Sequence, residues 1–189
     1  MDGTKKTYTI FGGVNGAGKS TFYEGYPMRG KEARINSDEI LRDSGGDWRS
    51  FADQSSAMRE AIKRLKQSMD GGVSFNQETT LTGSSILRGI RIAKDLGYYI
   101  RLYYIGLESA ELAIARVAHR VAHGGHGVSE EDIRRRYAGS LENLKKAIPL
   151  CHSVEIYDNS VHFTSVCTFE NGRLIQGNPQ NCGWLKNIL

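Results

Sequence analysis

A chain of 189 residues, 39% hydrophobic and 24% charged, suits one domain with a buried core and has the balance of an ordinary globular fold. Its formal net charge of +4 favours a small anionic substrate and is too mild for an electrostatic footprint on duplex nucleic acid. No apolar run approaches a membrane span, the opening ten residues lack a signal-peptide core, and Cys151, Cys167 and Cys182 show no CxxC spacing, so a reduced, cytoplasmic protein is expected.

Short apolar runs alternate with helical patterns, which predicts a parallel sheet of βα units. Residues 8–11 are the first expected strand. They lead into Gly13-Val14-Asn15-Gly16-Ala17-Gly18-Lys19-Ser20, which fits G-x-x-x-x-G-K-[ST] without a gap. In that pattern the glycines let backbone N–H groups converge on phosphates, Lys19 bridges the β- and γ-phosphates of ATP, and Ser20 holds Mg²⁺. A second strand, Ala33–Ile35, precedes Ser37, an expected helix cap, and Asp38. At the carboxyl edge of a parallel sheet, Asp38 is placed to orient a substrate hydroxyl and take its proton. Its alternative role is to cap the helix beside Ser37 and Glu39.

Residues 49–69 predict a helix with Met58, Ala61, Ile62, Leu65 and Met69 on its inner stripe, ended by Gly71 and Gly72. The third strand is expected at 73–75, with Glu78 just past it. There Glu78 would meet the metal through water or accept a hydrogen bond from substrate, and Thr79, Thr80 and Thr82 are candidate substrate contacts. A polar strand end with an N-cap cluster is the plain alternative. A DxxG match at 43–46 follows a helical stretch rather than the third strand, and no N-K-x-D accompanies it, so nothing supports a GTPase.

A helix over 86–96 stops at Gly97, and 98–105 form a fourth strand. The helix over 108–122 carries an apolar stripe of Ile114, Val117, Ala118, Val121 and Ala122. Arg116, His119, Arg120 and His123 form its opposite face. Arginine forks suit transferring phosphoryl oxygens. With the H-G-G-H-G break as a hinge and Arg134, Arg135 and Arg136 beyond it, residues 116–136 read as a lid; a generic basic surface is the alternative. The spacing of His119, His123 and His126 invites zinc, but the glycines at 124 and 125 break the helical geometry, and neither HExxH nor a partner cysteine is present. Ser129 and Asp132 predict a capping box for a helix that buries Ile133, Tyr137, Leu141, Leu144 and Ile148 and closes at Pro149. A fifth strand at 154–157 and a hairpin over about 161–177, turning at Asn171-Gly172, complete the chain. The expected fold is a single α/β domain over 1–189. It is a doubly wound P-loop NTPase sheet of five parallel strands with helices on both faces, a short lid and a C-terminal β-hairpin.

In chain order, "GGVNGAGKST", "INSDEI", "ETTLTG", "RVAHRVAHGGHGVSEEDIRRRY" and "DNS" fall within residues 10–160 and together resemble the zeta-toxin family of P-loop kinases, in its compact branch. The arginine-helix run ending in G-G-H is the specific part. The resemblance implies an ATP- and Mg²⁺-dependent kinase of UDP-activated amino sugars such as UDP-N-acetylglucosamine, with a small antitoxin protein as a candidate partner. It implies that Gly13, Asn15, Gly16, Ala17, Gly18, Lys19, Ser20 and Thr21 grip ATP and its metal. It makes Asp38 the catalytic base and Glu78 a substrate ligand. Arg116 and Arg120 would reach ATP and the transferred phosphoryl, Arg136 would join them from beyond the loop, and 158–160, with Asn159, would lie near the adenine. The toxins of that family are longer than this chain. The same parts also suit a kinase of another small hydroxyl compound, such as an antibiotic or nucleoside, or a nucleotide-switched ATPase that binds a partner.

Overall fold

The computed structural model describes residues 5–186 and 188, so the part of the leader reading that falls on residues 1–4 lies outside the described residues. Strands β1 (Thr7–Gly12), β2 (Ala33–Ile35), β3 (Phe75–Thr79), β4 (Tyr99–Gly106) and β5 (Ser153–Asp158) alternate with helical segments. The helices are α1 (Lys19–Glu24), α2 (Ser37–Asp43), α3 (Phe51–Asp70), α4 (Ser84–Asp95), α5 (Ala110–Ala122) and α6 (Glu130–Ala147). Strands β6 (Thr164–Glu170) and β7 (Arg173–Gly177) follow. All seven lie in one sheet in the order β2-β3-β1-β4-β5-β6-β7. The first five are parallel: from β1 the chain crosses to the edge strand β2, returns to β3 between them, and then passes to β4 and β5 on the other side. The reversal at β1 opens a crevice at the carboxyl edge, where doubly wound sheets place their ligands.

The two sheet faces differ in kind. Tyr8, Ile10, Phe75, Ile100, Leu102, Val154 and Ile156 form the main core with α3, α4 and α6. On the other face Phe11 packs with Tyr23 and Tyr26 of the α1 region, and Tyr103 stacks on it at 5.6 Å between ring centroids. A third cluster at the carboxyl edge joins Val14 and Ala17 to Ile105, Ala113, Val117 and Ile133, which docks α5 and α6 on the glycine loop. The hairpin turns at Asn171 (φ 48°) and Gly172 (φ 79°), the two left-handed residues that a type I′ turn needs. It does not stand apart: β6 pairs antiparallel with β5 and widens the sheet to seven strands.

Several local expectations are corrected. The third strand is Phe75–Thr79, not 73–75, so Glu78 lies inside it, paired in register with Phe11. Its polar residues are tolerated because Asn76 and Glu78 share the second face with Arg34, which hydrogen-bonds to both. Asn36, not Ser37, caps α2, its side chain accepting from the Asp38 N–H. On α3, Met58 and Ile62 are exposed, and Ala57, Ala61, Ser68 and Met69 are the buried residues. Helix α5 starts at Ala110 behind a Ser109 cap rather than at 108. The Ser129 cap of α6 is as expected.

Cys151, Cys167 and Cys182 are free and buried, and burial pushes the Cys151 and Cys167 thiols up to about 12 and about 11, so they are poor nucleophiles. Among the described residues no helix is long and apolar enough to cross a membrane.

Trp184 ties the C-terminal segment to the sheet. It fills the space over Gly106 at the end of β4, where an added Cβ would lie 2.1 Å from the indole, and its Nε1 donates to Asp158 Oδ1 at 3.0 Å. Gly106→Ala must therefore displace a buried ring, and the overpacking cost is about 1–3 kcal/mol. A lower urea midpoint at unchanged m-value is the expected result; an unchanged midpoint would show that the segment yields freely.

Candidate active site

The loop between β1 and α1 is shaped by its glycines. Gly13 has φ +143°, and a Cβ there would sit 2.2 Å from the Ile105 carbonyl oxygen. Gly18 has φ +93°, and its missing Cβ leaves room for the Asn159 amide and the Phe163 ring. The backbone thus closes tightly against β4 on one side and the 159–163 segment on the other. Asn159 Nδ2 donates to the Ala17 carbonyl at 2.9 Å, and Arg116 Nη2 to the Ser160 carbonyl at 3.0 Å. These contacts hold 158–160 against the loop and the arginine helix, while Asp158 itself accepts from Ser160 and Trp184. Thr21, in the first turn of α1, is exposed.

Lys19 is 7% exposed; its Nζ donates to the Val14 carbonyl at 3.1 Å and lies 3.9 Å from Glu78 Oε1. Burial pushes its pKa below the ordinary lysine value; Glu78 and Asp38 oppose that shift, and Arg120 and Arg136 add to it. Four charged side chains are therefore electrostatically coupled around one ammonium. Glu78 is the hub on the other side of the loop. It accepts from Ser20 Oγ at 3.1 Å, from Arg34 Nη2 at 2.7 Å and from Asn36 Nδ2 at 3.1 Å. Arg34 is fixed in turn by Glu39 and by the Tyr23 ring, 3.7 Å from its centroid. A hydroxyl and a carboxylate side by side form a hard-oxygen donor set, which fits Mg²⁺. Thr79 and Thr80 sit at the strand end. Thr79 Oγ1 accepts from the Leu81 N–H, and Thr80 bonds to Thr82, so both hydroxyls brace a turn in which buried Leu81 has φ 58°.

The arginine helix faces the loop differently from the expected pattern. Its inward stripe is Ala113, Arg116, Val117 and Arg120, since the Arg116 Cβ and Val117 Cγ2 both pack on Gly16. Ala118, Val121 and Ala122 are exposed, and His119 and His123 lie together on the outer surface with ring centroids 4.3 Å apart. The arginines and histidines are thus separated. No group of three metal-ligating side chains occurs among the described residues. Of the three arginines beyond the break, Arg136 reaches inward and donates to Asn15 Oδ1 at 3.1 Å. Arg134 and Arg135 pair outside with Glu111 and Asp132.

A cavity of about 300 Å³ lies beside the glycine loop, with Asn15, Asp38, Arg120 and Arg136 in its wall. Asp38 makes no ion pair among the described residues, although its charge is felt by Lys19. The cavity is also lined by residues that sequence patterns did not single out: Trp48, Arg49 and Gln54 from the α2–α3 loop and the start of α3. His126, weighed before only as a zinc ligand, joins them. A tryptophan in a short polar loop was the one available signal.

Comparison with known proteins bears on the family and the fold. No protein-family model matches the chain. An uncharacterized protein of Haemophilus influenzae is 34% identical over 125 residues, covering 66% of this chain and 88% of that protein. Among solved structures, a chain of the AvrRxo1-ORF1:-ORF2 complex with ATP superposes with a TM-score of 0.74 at 16% identity, covering 99% of this chain. This chain spans only 64% of the length of that one. A chain of the PezAT chromosomal toxin-antitoxin system of Streptococcus pneumoniae superposes with a TM-score of 0.62 at 17% identity, covering 89% of this chain and 73% of that one. At such identities the likeness establishes the fold, and that fold is the P-loop NTPase fold, as the sequence predicts.

Proposed function

We propose that this chain, which belongs to the same family as the uncharacterized Haemophilus influenzae protein, is an ATP- and Mg²⁺-dependent phosphotransferase for a sugar hydroxyl of a UDP-activated amino sugar. The observation that carries the reading is the convergence of Asp38, a carboxylate without an ion pair among the described residues, and two guanidiniums, Arg120 and Arg136, on one cavity beside the phosphate loop. A site that only hydrolyses or senses a nucleotide has no use for a second, substrate-sized space with a base in its wall.

In this reading Lys19 and the loop N–H groups grip the phosphates, with Asn159 beside the adenine end. Ser20 and Glu78 would hold Mg²⁺, which when bound supplies charge neutralisation for the phosphates. Asp38 takes the proton of the acceptor hydroxyl as its oxygen bonds to the γ-phosphorus. The bond from that phosphorus to the β,γ-bridging oxygen breaks, and ADP leaves with the electron pair. Arg120 and Arg136 stabilise the charge on the transferring oxygens, and Arg116 holds the loop beneath them. Residues 116–136 act as the lid. PezAT is a toxin–antitoxin system, and on that likeness a small antitoxin is the proposed partner.

Incubation of the pure protein with ATP, Mg²⁺ and a panel of UDP-sugars, antibiotics and nucleosides tests the reading by mass spectrometry. A UDP-amino sugar heavier by one phosphoryl group is expected. Phosphate on a different acceptor would change the substrate, and slow ATP hydrolysis with no phosphorylated acceptor would favour a nucleotide switch.

A further inference from the structure

The part of the cavity wall formed by Trp48, Arg49 and Gln54 has no part in the transfer described above, yet it is built with care. The loop between α2 and α3 is pinned at several points. The Gly46 N–H donates to the Leu41 carbonyl at 3.0 Å, the Asp47 N–H to Asp53 Oδ2 at 3.0 Å, and the Arg49 N–H to Asp47 Oδ1 at 2.9 Å. The Gln54 side-chain amide donates to the Trp48 carbonyl. Trp48 is thereby fixed, half-buried, at the cavity wall. The Arg49 guanidinium lies over its ring, 4.5 Å from the centroid. On the lid side the indole edge meets Gly127, where an added Cβ would be 2.6 Å from Trp48 Cη2.

Two buried polar atoms of residues lining the same cavity, Arg120 Nη2 and His126 Nδ1, have no hydrogen-bond partner among the described residues. They are linked, because Arg120 Nε donates to the His126 carbonyl at 3.0 Å. Both atoms lie beneath the cavity surface, and they mark this end of the cavity as polar rather than apolar. An aromatic ring carrying a stacked guanidinium calls for a second planar group, since bases stack on both kinds of surface.

We infer that this wall is a subsite for the base-bearing end of the acceptor, with the Trp48–Arg49 pair as the stacking platform. The inference rests on the cavity being the acceptor pocket. It makes Trp48 and Arg49 determinants of specificity that take no part in the chemistry. A sugar phosphate without a base would fill the catalytic end of the cavity and leave the platform bare.

The test reads binding without turnover. With the ATP site saturated by a non-hydrolysable ATP analogue and Mg²⁺, calorimetry gives the Kd of UDP-N-acetylglucosamine, GDP-mannose and N-acetylglucosamine 1-phosphate. Trp48→Leu is expected to weaken at least one nucleotide sugar about tenfold to a hundredfold, with the base-free sugar phosphate and the ATP analogue unchanged. Trp48→Phe should restore most of the loss. Arg49→Ala, at an exposed position, is the second variant should Trp48→Leu fold poorly, and about a fivefold weakening is expected for it. Equal binding by wild type and both variants would overturn the inference. So would equal weakening of the base-free ligand, or no binding of either nucleotide sugar to the wild type. Binding lost in the variants with no phosphate transferred by the wild type would sustain the subsite and sink the kinase reading. Transfer to a UDP-sugar that ignores both substitutions would do the reverse.

Discussion

Asp38→Asn is expected to lower kcat for phosphoryl transfer by about 10²–10⁴-fold while leaving the ATP Kd within about twofold. Asparagine keeps the size and shape of the side chain, and the α2 cap is untouched, because Asn36 bonds to the backbone N–H of residue 38. What is lost is the ability to take a proton. Asp38 suits that task because it lines the cavity and no ion pair occupies it among the described residues. The substitution also removes one of the two carboxylates that oppose the burial of Lys19, so it shifts the lysine toward its neutral form. The expected signature is therefore a fall in kcat that deepens with rising pH, as Lys19 sheds its proton sooner than in the wild type. Rapid-quench single turnovers and equilibrium ATP titration separate the two effects. An ATPase switch with no acceptor would lose little at Asp38, and a kcat within about threefold of wild type would remove this residue from the mechanism.

The features that could be read from sequence are those whose signals are local. The phosphate loop declares itself through glycine spacing between a strand and a helix, and the hairpin through Asn171-Gly172, because both depend on backbone angles that few residues adopt. The inward direction of Arg116 and Arg120 was hidden for the opposite reason. Helical period fixes which residues share a face, but not which face meets the protein, and alanines on a short helix tolerate either side. Here Gly16 decides, since it gives the Arg116–Val117 edge a surface to close on. The third strand was misplaced because Asn76 and Glu78 look like loop residues until Arg34, from a distant stretch of chain, supplies their partner. Trp48 meets Gly127 across a wider gap in sequence still. Long-range pairing of polar groups leaves no periodic trace, and the candidate site is made largely of such pairs.

Arg120 and Arg116 stand one helical turn apart, and their contacts predict different kinetic effects. Arg116 is held by the Ser160 carbonyl and packs on Gly16, so it belongs to the nucleotide side. Arg116→Ala should raise the KM for ATP with a smaller change in kcat. Arg120 lines the cavity shared with Asp38 and keeps one guanidinium nitrogen without a partner among the described residues. Such a donor can gain a bond as charge develops on the transferring oxygens, and arginines in that position are worth about 10³–10⁵-fold in kcat. Arg120→Ala is therefore expected to cost about 10³-fold or more in kcat with ATP affinity little changed. Arg120→Lys should recover little, because one ammonium cannot both hold the His126 carbonyl, as Nε does, and reach the phosphoryl group. The alanine variant also frees the loop at Gly125, where a Cβ would collide with Arg120 Cγ at 2.5 Å, so a slack lid is the competing cause of any loss. Added guanidinium separates the two. It can refill the charge but cannot restore the tether from Cγ to the loop. Partial rescue of single-turnover transfer assigns the loss to the missing cation, whereas a loss that guanidinium leaves unchanged assigns it to the loop and overturns the role proposed for Arg120.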